Sequence, residues 1–426
     1  MATAPRGKAT APLLDAATEL VDRVLRFDEP ADAVVAAFFR EHRSLGARDR
    51  PVVADTVYAL LRRLALYRHL AASGTGPLER RLVLLAWQGS DSMRAASLSA
   101  AEGEWLRACE DVDRDSLPEP MRHNLPDWIA DPLRQALGAE FADWVASNEE
   151  PAPLDLRVNL LKARRSEAMA LLRAQGVEAL PTPWSPVGLR VPGKPSLQGS
   201  EAFTTGLVEV QDEGSQLLAL LVGARRGETV VDFCAGAGGK SLALGAQMRS
   251  TGRLYAFDVS AHRLAQLEPR LRRSGLTNVH PTRIAHERDE HVARLAGKVD
   301  RVLVDAPCTG IGTLRRHPDL KWRQTPAVLA ELAPRQRAIL AAAAQLLKSG
   351  GRLVYATCSV LEAENEAVAR DFDKTFGSSF ARVPLLQVLQ RAQVEGAEGL
   401  VSGPDLRLWT HRHGTDGFFA AAWQRR

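Results

Sequence analysis

The sequence predicts an α/β protein in which a doubly wound, Rossmann-like domain follows an all-α region and a small α+β module. Three observations carry this. Apolar residues recur every three or four positions from Leu13 to about Val145, the period of a helix face. Between residues 146 and 205, Pro181, Pro183, Pro186, Pro192 and Pro195 break the chain into short extended pieces. From Gly206 onward, short β-branched runs alternate with helical patterns, as in a parallel sheet with crossover helices. The expected domains are therefore 1–145, 146–205 and 206–426.

Composition narrows the function classes. At 45% hydrophobic and 25% charged residues, the chain is ordinary globular protein rather than disordered or fibrous. Lys and Arg total 55 against 51 Asp and Glu, a net charge of +4, which permits a nucleic-acid partner without requiring one. The arginine pairs Arg62-Arg63, Arg80-Arg81, Arg164-Arg165, Arg272-Arg273 and Arg315-Arg316 fit either phosphate contacts or solvated faces. Cysteines 109, 234, 308 and 358 form no CxxC and no Cys/His metal spacing, so no metal site is expected. Without a signal peptide or a membrane-length apolar run, the expected setting is reducing cytoplasm, with no membrane partner. A monomer is expected.

In chain order, residues 1–10 are small, polar and basic, the composition of a disordered tail. Leu14, Ala17, Val21, Val24 and Leu25 begin the helical pattern, and Val53, Val57, Leu60, Leu61 and Leu64 continue it. Gly46 to Arg50 breaks between helices, and Pro51 suits the first turn of the next. Glu149-Glu150-Pro151-Ala152-Pro153 reads as a linker. Leu154 to Asn159 alternates like a strand, with Arg157 and Asn159 as a polar pair that is either functional or a water-facing edge. A helix is expected from Ser166 to Gln175 and another from Glu213 to Leu221. Thr229–Phe233 and Leu254–Asp258 read as the first two strands of the main sheet.

Between those strands lies Cys234-Ala235-Gly236-Ala237-Gly238-Gly239-Lys240, opening a helix at Ser241. Such a loop brings backbone N–H groups close to a ligand. It matches neither G-x-G-x-x-G nor a Walker A frame. Asp258 ends the second strand twenty residues after Gly238, the position of a ribose-binding carboxylate in nucleoside-binding α/β folds; it would equally cap the turn at Ser260. Together they point to a nucleoside cofactor, and S-adenosyl-L-methionine fits better than a dinucleotide because the loop need not cradle a pyrophosphate.

Two further strands end in thiols. Val302-Leu303-Val304 leads into Asp305-Ala306-Pro307-Cys308, and Leu353 to Thr357 leads into Cys358. Asp305 could cap a turn and Cys308 could be packing, but two thiols and a carboxylate at one sheet edge also form a catalytic set. Carbon 5 of cytosine becomes nucleophilic when a thiolate adds to C6 and a carboxyl group steadies the ring near N3. That is covalent catalysis, and the attacking species is the thiolate.

VQDEGSQL, DFCAGAGGK, VDAPCTGIGTLRRHPDLKW and LVYATCSVLEAENEAV resemble the motifs of the Sun/NOP2 family of RNA cytosine-C5 methyltransferases. The resemblance runs from about Leu154 to the C-terminus, including Gly414 to Phe419 as a closing strand, and the helical region is similar to a NusB-type RNA-binding domain. It implies that Cys358 is the nucleophile, that Cys308 assists product release, and that Asp305 holds the base near N3 close to the methionine end of the cofactor. Cys234 to Lys240 would wrap S-adenosyl-L-methionine and Asp258 would hold its ribose. His317-Pro318 and the flanking arginines would shape an RNA-facing loop. The implied partner is RNA, specifically small-subunit (16S) ribosomal RNA before or during subunit assembly.

The chain departs from the family pattern twice. Ala237 stands where a proline is usual, and Arg283-Ile284-Ala285-His286-Glu287 replaces a Gly-Asp pair whose acid contacts adenine. His286, Glu287 or backbone alone would then meet the adenine. Two rivals remain at this level. A non-catalytic RNA-binding or ribosome-assembly factor would keep the fold without the chemistry. A DNA cytosine methyltransferase would take its nucleophile from the Pro-Cys motif and lack the T-C-S thiol.

Overall fold

A computed structural model describes residues 11–193 and 195–426. The tail expected at 1–10 lies outside the described residues. The chain forms two compact units: residues through Glu150 together with Leu314–Thr325, and Pro151–Thr313 together with Pro326–Arg426. Among the described residues no helix is long and apolar enough to cross a membrane.

The first unit is helical, as the periodicity predicts. Helices Ala11–Val24, Ala31–Glu41, Asp49–Arg62, Leu64–Ala71 and Leu78–Ala86 bury Leu14, Val21, Phe38, Val57, Leu61 and Val83 in one core. Leu314–Thr325 belongs to this unit although its sequence lies inside the methyltransferase-like half. It caps two helices. The Ala31 N–H, an orphan first-turn donor, reaches Asp319 Oδ2 at 3.3 Å. At the C-terminus of Asp49–Arg62, Trp322 Nε1 donates to the Leu61 carbonyl and Lys321 Nζ to the Arg62 carbonyl, both at 2.7 Å. An anion at a helix start and a cation at a helix end satisfy free backbone groups and oppose the helix dipoles. The segment expected to shape an RNA-facing loop is thus folded into the helical unit, with Arg315, Asp319 and Lys321 buried.

The second unit holds two sheets. The small one contains β1 (Leu154–Val158), β2 (Leu180–Pro181), β3 (Gly188–Val191) and β4 (Val208–Val210), all antiparallel in the order β2-β3-β1-β4. β4 lies beyond the boundary expected at residue 205, because its register partner is β1. Helix Arg165–Ala174 covers this sheet through Ala168 and Leu172. Arg157 and Asn159 do not face water. Arg157 Nη1 donates to the Gly239 carbonyl at 2.6 Å, and Asn159 Nδ2 to the Gly206 and Ser274 carbonyls at 3.1 and 2.9 Å. They staple the small sheet to the cofactor-loop helix and its neighbour.

The large sheet contains β5 (Thr229–Asp232), β6 (Arg253–Asp258), β7 (Val279–Arg283), β8 (Val299–Asp305), β9 (Leu347–Thr357), β10 (Phe380–Arg382), β11 (Val401–Ser402), β12 (Asp405–Leu408) and β13 (Phe418–Arg425). Its order is β11-β12-β13-β9-β8-β5-β6-β7, with β10 on β13. The run from β7 to β9 is parallel, and β13 enters antiparallel beside β9. Val230, Leu303 and Val354 pack on one face and Val231, Val302 and Tyr355 on the other, as the two-residue strand period requires. Pro281 sits in β7, which pairs only with β6, so its missing N–H costs no ladder bond. From β5 the chain winds out to β7 and returns on the other side at β8. The carboxyl ends of β5 and β8 therefore flank the topological switch point, where open α/β sheets bind ligands.

Burial drives the Lys321 ammonium down to about 7, with Glu149 opposing and Arg62 and Arg63 adding to the shift. Unfolded, the lysine titrates near its usual ~10.4. Between those values the unfolded chain binds more protons than the native one, so this group makes stability rise with pH. Urea unfolding followed from pH 7 to 9.5 should show that rise in the wild type, and Lys321→Met should flatten it.

Candidate active site

Four strand ends and one loop build the site. β5 ends in Asp232 and continues into Cys234–Lys240; β6 ends in Asp258; β8 and β9 run out to Cys308 and Cys358. They surround a cleft of about 820 Å³, ample for a nucleoside-sized ligand. Cys234, Ala235, Gly236, Ala237, Gly239, Lys240, Asp258, Asp305, Cys308 and Cys358 all line it. Gly238 is the one residue of the expected set that does not. It turns beneath the loop at φ +79°, and a Cβ there would stand 2.1 Å from Leu267 Cδ1, so the turn admits only glycine.

Asp258 is buried, and both its oxygens are committed to backbone: Gly236 N–H at 2.8 Å and Ser260 N–H at 2.7 Å. It therefore caps the turn, as one reading of the sequence has it, and it also faces the cleft with lone pairs to spare. Asp305 accepts from Lys240 Nζ at 2.7 Å. Burial pulls the Lys240 ammonium down, but Asp305, Cys358 and Asp232 outweigh it and the net shift is upward. The loop after β7 also reaches the cleft through Ala285, His286 and Glu287. The Ala285 N–H is taken by Asp289 Oδ2 at 2.8 Å, and His286 Nδ1 by the Arg288 N–H at 3.1 Å. Glu287 is the carboxylate this loop presents to the cleft.

The two strand-end thiols meet: Cys308 Sγ and Cys358 Sγ lie 3.4 Å apart. The hydrogen bond to Cys358, then burial, push the Cys308 thiol well above its ordinary value, helped by the charges of Cys358, Glu364 and Asp305. Cys234 is also driven well above its ordinary value, chiefly by burial and then by Asp232, Asp305 and Asp258.

Some of the site was not legible in the sequence. Asp232 is buried, bonded to Ser241 Oγ at 2.7 Å, and raised to about 7, first by burial and then by Asp305 and Asp258. Its alternating strand pattern marked it only as a strand residue. Gln211 and Ser215, inside VQDEGSQL, line the cleft and are joined at 3.1 Å. Arg335 reaches it from the helix Pro326–Leu346, a stretch that carries no catalytic motif.

Comparison with known proteins agrees with this geometry. The family model described as 16S rRNA methyltransferase RsmB/F matches residues 219–424, and the ferredoxin-like domain of RsmF/B-like methyltransferases matches 125–198. A Synechocystis protein named "Probable ribosomal RNA small subunit methyltransferase B" is 35% identical over 73% of this chain and 69% of its own length. The crystal structure of PH0851 is 25% identical, superposes with a TM-score of 0.77 and is covered, like this chain, over 100% of its length. NSun6 from Pyrococcus horikoshii with SFG, 21% identical over 70% of this chain and 98% of that one, shares the fold with a TM-score of 0.60. The motifs around Cys308 and Cys358, the switch-point cleft and these relatives agree: the chain belongs to the RsmB/F family of 16S rRNA methyltransferases, the bacterial side of the Sun/NOP2 resemblance.

Proposed function

We propose that the protein transfers a methyl group from S-adenosyl-L-methionine to C5 of a cytosine in small-subunit ribosomal RNA, through a covalent bond between Cys358 and C6. The 3.4 Å approach of the two thiols inside the cleft carries this reading. A non-catalytic RNA-binding factor needs no such pair, and a DNA cytosine methyltransferase needs only the Pro-Cys thiol. The family description and the names of the relatives support an RNA substrate.

The residues present fit the cofactor. Asp258 would accept from the ribose hydroxyls, the Cys234–Lys240 loop would enclose the amino-acid end, and Glu287 would meet the adenine. The cofactor supplies an electrophilic methyl group on a sulfonium centre. The Lys240–Asp305 pair offers one donor and one acceptor to the polar edge of the pyrimidine near N3. Cys358 adds to C6, and the electron pair displaced towards C5 takes the methyl group. The C5–H bond then breaks, its electron pair forming the C5=C6 double bond, while the C6–S bond breaks and its electron pair returns to the Cys358 sulfur. Cys308, 3.4 Å from that sulfur, hands its S–H proton to it and takes the C5 proton in exchange, so it ends protonated and assists release.

The thiols separate experimentally. Cys308→Ala should trap protein on RNA, giving a retarded band on a denaturing gel that requires S-adenosyl-L-methionine. Cys358→Ala and the double variant should give neither band nor product. A trapped band from Cys358→Ala instead would move the nucleophile to Cys308. Bisulfite mapping of ribosomal RNA from a deletion strain should reveal one lost 5-methylcytosine.

Asp258→Asn keeps the size of the side chain and removes its charge. A charge-assisted bond is worth about 1.5–3 kcal/mol, so the cofactor Kd should rise roughly 10- to 150-fold by calorimetry. Glu287→Ala should weaken the cofactor while leaving RNA affinity unchanged. Equal cofactor affinity in both variants would remove them from the site.

A further inference from the structure

One buried carboxylate near the thiols plays no part in the chemistry above. Glu364 is fully buried, and no cation pairs with it among the described residues. A carboxylate taken out of water persists only when its lone pairs are used. Its Oε1 accepts from the Thr309 N–H at 2.9 Å and Gln336 Nε2 at 3.0 Å; its Oε2 accepts from Thr309 Oγ1 at 2.5 Å. Gln336 Nε2 also donates to the Pro307 carbonyl at 2.9 Å. The carboxylate thereby grips Thr309 directly and Pro307 through Gln336, the residues on both sides of Cys308.

The next residue grips the other thiol. Asn365 Nδ2 donates to the Ser359 carbonyl at 2.9 Å, and Asn365 Oδ1 accepts from Thr357 Oγ1. Thr357 and Ser359 flank Cys358. A direct tie, Thr309 Oγ1 to Ser359 Oγ at 3.3 Å, joins the two loops. Tyr355 Oη, from within β9, holds the Glu364 carbonyl at 2.5 Å. One dipeptide therefore fixes both thiol loops to the strand that delivers one of them.

We infer that Glu364 is a positioning residue for the two-thiol reaction: its carboxylate holds the Cys308 loop at the distance that lets Cys308 hydrogen-bond Cys358. The inference rests on the two-thiol reading given above. An apolar packing residue would fill the same space without setting that distance. Glutamine could replace it, accepting from Thr309 N–H through its oxygen and donating to Thr309 Oγ1 through its amide. Aspartate, one methylene shorter, could not reach.

The test compares Glu364→Gln, Glu364→Asp and Glu364→Ala in the full-length protein. Two readouts apply: the pH profile of Cys308 alkylation by iodoacetamide, read by mass spectrometry, and steady-state methylation of ribosomal RNA. Glu364→Ala and Glu364→Asp should move Cys308 alkylation down towards the profile of an ordinary thiol. Their kcat should fall roughly a hundredfold, the scale of a misplacement near 1 Å, with cofactor Kd and RNA KM little changed. Glu364→Gln should restore the wild-type profile and most of kcat. If Glu364→Ala keeps both the wild-type profile and kcat, the inference is overturned. If Glu364→Ala does not fold, Thr309→Val, which removes only one bond to the carboxylate, decides by the same two readouts: an unshifted profile with full kcat overturns it. A wild type that methylates no RNA would sink the proposed function, while the alkylation profile would still decide the role of Glu364.

Discussion

The site depends on β8 and β9 ending level with each other. Their parallel register sets Asp305 opposite Ala356, so Cys308 and Cys358 leave the sheet within a residue of the same height. A slip of one position would turn every side chain of a strand to the opposite face. Leu303, Val304, Val354 and Tyr355 are fully buried between two helical layers, which makes such a slip prohibitive. Core packing thus brings the two thiol loops to the same height, and the loop bonds then set the 3.4 Å contact. The chain beyond each thiol is then pinned from a third side. Gly312 N–H donates to the Cys358 carbonyl at 2.9 Å, and Gly417 N–H to the Gly312 carbonyl at 2.7 Å. A Cβ on Gly312 would stand 2.0 Å from the Gly417 carbonyl oxygen. The antiparallel strand β13, starting at Phe418, therefore closes directly on the thiol loops, and the Gly-Thr-Asp-Gly sequence before it is there to permit the approach.

The charges in the cleft follow from the same geometry. Parallel strands deliver their terminal carboxylates, Asp232, Asp258 and Asp305, to one edge, with Lys240 as the cation bonded among them. Their mutual repulsion adds to burial in lifting Asp232 to about 7. Burial and then repulsion from the same carboxylates raise Cys234, whereas attraction to Asp305 and Asp232 outweighs burial and raises Lys240. A site with surplus negative charge in partial burial favours a ligand that carries positive charge. A sulfonium with an ammonium on its amino-acid end has that character; a dinucleotide pyrophosphate does not. The charge of the cleft thus favours the cofactor proposed for it.

Short-range patterns made much of this legible. Short apolar runs marked β5, β6, β8 and β9, and the residues that end those strands could be named because a strand end at a sheet edge is a local fact. The rest depended on partners far apart in sequence. Arg157 and Asn159 read either as a functional pair or as a water-facing edge, because their acceptors, Gly239 and Ser274, lie more than seventy residues away. Glu364 sat inside a recognisable motif without a role, because its partners Thr309 and Gln336 come from two other segments. The boundary at residue 205 fell short because β4 is defined by pairing with β1, and three residues of alternation carry no sign of which sheet they join. Asp289 filled the turn after β7 with its own backbone bond, which no reading of the missing Gly-Asp pair anticipated.

The segment from Leu314 to Thr325 changes how the chain can be divided. It follows the Cys308 loop in sequence, so local reading attached it to the substrate face. Its polar groups fit another need. Asp319 supplies the side-chain acceptor that Pro30 lacks at the start of one helix, and Lys321 and Trp322 take the last carbonyls of another. These are long-range caps, and each leaves an unsatisfied buried group if its partner is removed. A cut at Pro151 would strip Lys321 and Trp322 of their acceptors and expose Trp322, which packs on the helical core. The helical unit would in turn lose the caps on two of its helices. The covalent path runs from the Cys308 loop at Thr313 into these caps and back at Pro326. Loss of activity on truncation would therefore report the state of that path as much as loss of RNA contacts. Substitutions at the arginines of the helical unit, with Lys321 and Trp322 intact, separate the two causes.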